Sequence, residues 1–341
     1  MSALLGISSP IIQAPMAGGI ISPSFVAEVS NNGCLGSIAA GGLSINELAN
    51  QIKEVKSLTD CPFAVNIFAH HRVDDLSYDI TIINNELNNV RRMLNIPEIT
   101  NIHLIEEPSI NDYIELCIKM NVPVVSFTFG CPDKTVIKKL KEAGIKTIGT
   151  ATNVNEALII EERGIELVTA QGYEAGGHYG GFLKQSSIGL MSLIPQIADA
   201  VAIPIIAAGG IADRRGIQAA QALGAHYVQI GTRFLNTYES SAHPLHKKAI
   251  NEADETAAVV TTSFTGKPAR GISNEMMIRL ADHSVPPYPI MNQLTADIRA
   301  AAKLQYNAEF MSNWSGQNIR GSKTVSLKTI LTELTIPSAE S

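Results

Sequence analysis

Cysteine is scarce in this 341-residue chain, and the four present, Cys34, Cys61, Cys117 and Cys131, stand far apart. None falls at the paired spacing that builds a zinc site or a dithiol couple. Buried free thiols in a reducing compartment are therefore expected, and Cys131, after a predicted strand end, reads as a small core residue rather than a nucleophile. Long apolar runs are also missing: none approaches the roughly 20 residues that span a bilayer, and Met1 to Pro10 carries no basic stretch followed by an apolar one. A cytoplasmic protein without a membrane partner is expected. Lys and Arg form no block within a net charge of −6, which argues against a nucleic-acid surface. With 45% hydrophobic and 17% charged residues, the chain can bury a substantial core, and its partner should be a small molecule.

Eight short β-branched and apolar runs recur: Ile11–Ala14, Leu35–Ala39, Phe63–Phe68, Pro123–Phe129, Lys146–Ala151, Glu166–Gln171, Pro204–Ala208 and Tyr227–Gly231. Several are almost continuously apolar, as parallel strands covered on both faces must be. Helix-like stretches separate them, namely Ser24–Asn32, Ile45–Ser57, Asp133–Ala143, Val154–Arg163 and Asp213–Leu223. Asp133, Asn153 and Asp213 can cap helix starts, while Gly144, Gly164 and Gly224 sit just past the ends. Strand, helix, strand repeated in this way describes an α/β fold of the (β/α)8 TIM-barrel type. An open doubly wound sheet would carry an early glycine fingerprint, which is absent.

Two segments break the repeat. Residues 70–121 are long for one connection and include a polar, Asn-rich helix, Ile82–Met93, expected over the barrel mouth. Residues 236–296 read as a small inserted lid or substrate domain, which leaves 1–235 and 297–335 to the barrel, with its last helix near Thr295–Glu309. The tail after Thr335 is polar.

Catalytic groups in such a barrel come from the C-terminal strand ends. After strand one, "QAPMAGGI" presents Gln13, Met16 and two glycines. After strands seven and eight, "AAGGIAD" and "IGTRF" place Gly209, Gly210, Gly231 and Thr232 where barrels commonly hold a phosphate on backbone N–H groups. After strand six comes "TAQGYEAGGHYGGF", five glycines within Gly172–Phe182 around one imidazole, His178. So many glycines are unfavourable in an ordinary loop but allow the main chain to approach a flat ligand closely. No second metal-type ligand stands near His178, so no metal is expected, and the imidazole can take a proton from a weak carbon acid or carry charge opposite an anion. His70, His103, His243 and His246 read as ordinary hydrogen-bonded residues.

The motifs "QAPMAGG", "QGYEAGGHYGGF", "AAGGIAD", "IGTRFLNTYES", "GKPARGISN", "PPYP" and "WSGQ" occur in the order found in the nitronate monooxygenases, formerly 2-nitropropane dioxygenases. The chain resembles the class I branch from Ile11 to Gln317. The resemblance implies bound FMN, no metal, and oxidation of alkyl nitronates such as propionate 3-nitronate with O2 to carbonyl compounds and nitrite. By the same resemblance His178 is the catalytic residue, and Gln13, Ala14 and Met16 border the isoalloxazine. Gln171, Gly172, Gly176 and Gly177 line the flavin. Gly209, Gly210, Gly231 and Thr232 hold its phosphate. Asn66, Ser315 and Gln317 match further cofactor positions, and Lys267 and Tyr288 match substrate positions. A monomer or homodimer is expected. Other readings are an NAD(P)H-consuming flavin-dependent enoyl-acyl-carrier-protein reductase, a flavin-free sugar-phosphate isomerase or lyase, and a non-catalytic flavin binder.

Overall fold

A computed structural model describes residues 4–69, 78–100, 105, 107–184 and 186–335. Its central sheet is parallel and contains β1 (Ile11–Gln13), β2 (Gly36–Ala39), β3 (Phe63–Phe68), β4 (Val124–Thr128), β5 (Lys146–Ala151), β6 (Leu167–Gln171), β8 (Ile205–Ala208) and β9 (Tyr227–Ile230). Neighbours run β1-β9-β8-β6-β5-β4-β3-β2. The ends meet where Ile12 bridges Leu35, with Gln13 N–H donating to Leu35 O and Leu35 N–H to Ile11 O, both at 2.9 Å. The sheet is thus the barrel expected from the apolar runs. Its interior begins with one layer drawn from every stave: Ile12, Leu35, Ala64, Val124, Ile148, Leu167, Ile206 and Tyr227, plugged below by Leu5 and Ile7. A packed layer of this kind closes the bottom to water and leaves only the C-terminal end for a ligand.

Outside lie α1 (Pro23–Asn31), α2 (Ile45–Leu58), α4 (Ile110–Lys119), α5 (Lys134–Glu142), α6 (Val154–Glu162), α7 (Leu190–Ala198), α8 (Arg214–Ala222) and the short α9 (Thr232–Leu235). The punctuation is as read: Gly144, Gly164 and Gly224 have φ of +75°, +85° and +112°, a region that only glycine enters freely. Asn153 and Asp213 accept first-turn N–H bonds, whereas Asp133 occupies its cap position without a side-chain bond to the helix and pairs with Arg163 instead.

The two irregular segments form one body. In α3 (Thr81–Met93), Ile83, Leu87 and Val90 pack in one cluster with Met276 and Met277 of α11 (Glu275–Arg279), Leu280 just past its end, and α12 (Ile290–Leu294). Polar Asn84 and Asn88 face inward. They accept from Nη1 of the fully buried Arg91, whose Nε and Nη2 donate to Asp297 and whose Nη2 also reaches Leu294 O at 2.7 Å. A buried guanidinium requires such complete pairing, which explains the Asn-rich composition. The helix expected to end the barrel, α13 (Ala296–Leu304), instead buries Ile298 and Ala302 in this second cluster. The helix that closes the barrel is α14 (Leu327–Thr335), through Leu327, Ile330, Leu331 and Leu334. Between α9 and α11, α10 (Pro244–Glu252) precedes a three-stranded sheet, β10 (Ala258–Thr261), β11 (Ala269–Ile272) and β7 (Gly177–His178).

Cys34 and Cys117 are buried, Cys131 is half-buried and Cys61 is exposed. Burial raises the Cys34, Cys117 and Cys131 thiols to about 11, 12 and 11, so they stay protonated and unreactive.

Candidate active site

A cavity of ≈620 Å3 opens at the C-terminal strand ends, a size ordinary for a cofactor or ligand site. Its floor is barrel: Ala14 and Met16 after β1, Asn66 on β3, Gln171 on β6, and the glycine turns after β8 and β9. Its roof includes Gly176, Gly177 and His178 together with Thr265, Tyr288, Asn292, Arg299, Lys303 and Trp314.

The glycines have physical reasons to be there. Gly209 and Gly210 hold φ of +121° and +68°, a region that favours glycine. With Gly231 and Thr232 they line the cavity as a run of backbone turns of the kind that can cradle a phosphate. Gly177, φ +69°, has nothing within 4 Å of where a Cβ would stand. A Cβ on Gly176 would lie 2.4 Å from Gly316 N and 2.6 Å from Ser315 C. "WSGQ" therefore supports the loop from behind: Ser315 is buried and off the cavity, and Gln317 is exposed, giving its N–H to Glu174 O at 3.0 Å.

Three more expected residues stand outside the lining. Gln13 is buried and accepts from Ser37 N at 2.8 Å, bracing the barrel closure. Gly172 packs so closely on α7 that a Cβ would meet Leu190 Cα at 2.7 Å. Lys267 places Nζ 4.6 Å from the Phe129 ring centre, a cation on an aromatic face. Gln171 lines the cavity and also braces the loop, accepting from Gly180 N at 2.6 Å and donating to His178 O at 3.1 Å. Tyr288 lines it with its hydroxyl proton already given to Glu107, 2.9 Å away, and burial, followed by that carboxylate, pushes the phenol pKa upward.

His178 sits on β7 opposite Ala269 of β11, between the rings of Phe129 at 5.7 Å and Trp314 at 5.5 Å. Its Nε2 is 2.8 Å from Thr265 Oγ1. Burial first, then the charges of Lys267 and Arg299, lower the imidazole to about 4, so it is neutral near pH 7. The positive charge is carried elsewhere. Arg299, brought down by burial only to about 10, remains a cation and donates Nη2 to Asn292 O and Oδ1 at 2.7 and 2.8 Å. Asn292, Arg299 and Lys303 share one face of the α12–α13 run, and no Asp or Glu is among the described lining residues.

Several of these residues had no sequence signal. Thr265 and Trp314 come from two loops and Arg299 and Lys303 from α13; only the spacing from Asn292 to Arg299 to Lys303 hints at a shared helical face. His246 is hydrogen-bonded as expected, Nε2 to Trp314 O at 2.8 Å, and His243 caps α10 through Nδ1, yet both line the cavity. His70 and His103 lie outside the described residues. No group of three metal-type side chains occurs among the described residues.

Fold and site together define a barrel enzyme whose cavity lies at the C-terminal strand ends and has no Asp or Glu among its described lining residues. The family model for nitronate monooxygenase matches residues 1–336, and the chain belongs to that family. A probable nitronate monooxygenase of Staphylococcus saprophyticus is 47% identical over 327 residues, 94% of this chain and 92% of its own length. Among solved structures, nitroalkane oxidase from Streptomyces ansochromogenes superposes with a TM-score of 0.92 at 34% identity, covering 98% of this chain and 96% of its own. FabK from Thermotoga maritima gives 0.76 at 31%, covering 98% and 93%.

Proposed function

We propose that the protein oxidises alkyl nitronates, propionate 3-nitronate among them, with O2 to carbonyl compounds and nitrite, using FMN held in this cavity. The observation that carries the reading is the pairing of the glycine cradle with a roof that is cationic, has no Asp or Glu among its described lining residues and carries a neutral histidine. Gly209, Gly210, Gly231 and Thr232 would hold the phosphate, and one such cradle without a dinucleotide fingerprint favours FMN over FAD. Ala14, Met16, Asn66, Gln171, Gly176 and Gly177 would border the ring. Gln13, Gly172, Ser315 and Gln317 support those residues through the backbone.

A nitronate is an easily oxidised delocalised carbanion, and the bound flavin supplies the redox chemistry. This chain's residues need only place and polarise it. Arg299 and Lys303 attract the anion, Lys267 adds potential from behind Phe129, and Tyr288 with Phe129 bounds the space beside His178. When the reactant arrives as a neutral nitroalkane, His178 accepts its α-proton. Residues 236–296, with α3 and α13, serve as the lid over the barrel formed by the remainder of 1–235 and by α14. No nucleic acid or membrane partner enters this scheme, which suits a cytoplasmic monomer or homodimer; no described helix is long and apolar enough to cross a bilayer.

Anaerobic mixing of the purified protein with propionate 3-nitronate and, separately, with NADPH tests the proposal. Bleaching of flavin absorbance by the nitronate alone, with nitrite released on admitting O2, is expected. Bleaching by NADPH alone would assign a reductase, and a colourless protein would remove the flavin.

A further inference from the structure

We infer that Thr265 is the positioning residue for His178, fixing the imidazole as its Nε2–H tautomer so that Nδ1 is the basic atom presented to the cavity. This inference rests on the proposed role of His178 but concerns which nitrogen performs it and what holds it there.

The turn that carries Thr265 joins β10 to β11 and is pinned on both sides. Thr295 Oγ1 donates to Phe264 O at 2.6 Å, and Gly266 N–H donates to Thr262 O at 2.9 Å. Gly266, φ +77°, passes so close to Pro286 that a Cβ would lie 2.2 Å from its carbonyl oxygen. On the other side, His178 pairs with Ala269, and Tyr179 N–H donates to Pro268 O at 3.0 Å. Two fixed backbones therefore set the separation between the hydroxyl and the ring. Thr265 itself is 3% exposed, so water does not compete for its hydroxyl.

A hydroxyl has one proton to give and two lone pairs to offer. Thr265 Oγ1 has three neighbours: Lys267 N–H, which can only donate, at 3.3 Å; Lys267 O, which can only accept, also at 3.3 Å; and His178 Nε2 at 2.8 Å. If the hydroxyl gave its proton to Nε2, Lys267 O would lose it. If Nε2 carries the hydrogen, all three contacts are made at once: Lys267 N–H and Nε2–H donate to Oγ1, and Oγ1–H donates to Lys267 O. That arrangement leaves no capacity unused. Nδ1 has no hydrogen-bond partner among the described residues and is not among the sealed, unpaired polar atoms, so its lone pair faces open cavity. Fixing a histidine's tautomer through the nitrogen that does not react is a general way of aiming the other.

The test is 15N-histidine labelling of the flavin-loaded protein, with the imidazole tautomer of His178 read from its two-bond 1H–15N couplings. His178→Asn identifies the signal. The Nε2–H form is expected in the wild type and in Thr265→Ser, and a mixture in Thr265→Val. Proton abstraction from a neutral nitroalkane should fall in Thr265→Val on the order of 10–100-fold in kcat with little change in KM, and return in Thr265→Ser. Oxidation of preformed nitronate, which needs no base, should change far less. An Nδ1–H tautomer in the wild type, or wild-type tautomer and kcat in Thr265→Val, overturns the inference. Should Thr265→Val lose its flavin, the wild-type and Thr265→Ser spectra decide alone. A wild type that consumes no nitronate yet shows the Nε2–H form overturns the proposed function and leaves the tautomer assignment standing.

Discussion

Measuring kcat/KM for preformed propionate 3-nitronate from about pH 5 to pH 8 asks whether His178 binds the anion as a cation, since an ordinary imidazole loses its charge across this range. Burial, with Lys267 and Arg299 nearby, puts its pKa at about 4. A group that titrates about 2.5 units below the usual 6.5 is charged in only about 0.3% of molecules at pH 6.5, against half for an unperturbed histidine. If the charge of His178 were needed, kcat/KM would already be small at pH 6.5 and would fall tenfold per unit above it. Because Arg299, lowered by burial only to about 10, carries the charge instead, the profile should be flat from about pH 5 to pH 8. With a neutral nitroalkane the active form is the free base, also fully present from about pH 5. His178→Asn should therefore remove about 10²–10⁴-fold of activity on the neutral substrate while nitronate oxidation survives. A descending limb near pH 6.5 in the nitronate profile, absent in His178→Asn, would refute the reasoning.

Gly210→Val places a side chain at φ +68° and 3.2 Å from Glu174 Cβ; flavin absorbance per chain should fall while far-ultraviolet circular dichroism is kept, and full occupancy would contradict the phosphate assignment. Glu156, fully buried, accepts from Thr152 N, Phe182 N and Leu183 N at 2.6 to 2.7 Å and from Thr152 Oγ1 at 2.9 Å. Glu156→Ala strands those donors and should destabilise by at least about 3 kcal/mol in urea unfolding. His246, lowered by burial to about 4, is protonated more readily in the unfolded chain. Its stabilising share is complete above about pH 6.5 and is lost as pH falls towards 4, about 3 kcal/mol in all. His246→Gln should lessen the stability lost between pH 7.5 and pH 4.5, and an unchanged loss would count against that burial effect.

The barrel was legible because its signals are local. Strands covered on both faces must be largely apolar, as Ile205 to Ala208 are throughout, and a helix that turns back at Gly144 or Gly164 announces its own end. His178 and the cradle glycines were legible for a similar reason, since each exception to ordinary loop composition lies within a few residues. The lid was not. Asn84 and Asn88 look solvent-facing until Arg91 and Asp297, from opposite ends of the chain, meet them in the interior. α13 has an amphipathic pattern that fits a barrel helix as well as a lid helix, and only the partner for Ile298 decides. The neutrality of His178 depends on Lys267, Arg299 and the enclosing rings, none of which its own loop specifies.

The strand pair β7–β11 has a mechanical consequence. His178 belongs at once to the barrel, through Gln171, and to the lid, through Ala269 and Thr265. A lid that swung open would have to unzip this ladder or pull His178 off Gln171, so under the proposed role opening and disarming would be the same motion. The arrangement favours traffic through a standing doorway over a hinged cover, and it ties the presence of a working base to the closed form. Loosening the lid would then register as lost base strength before it registered as faster exchange.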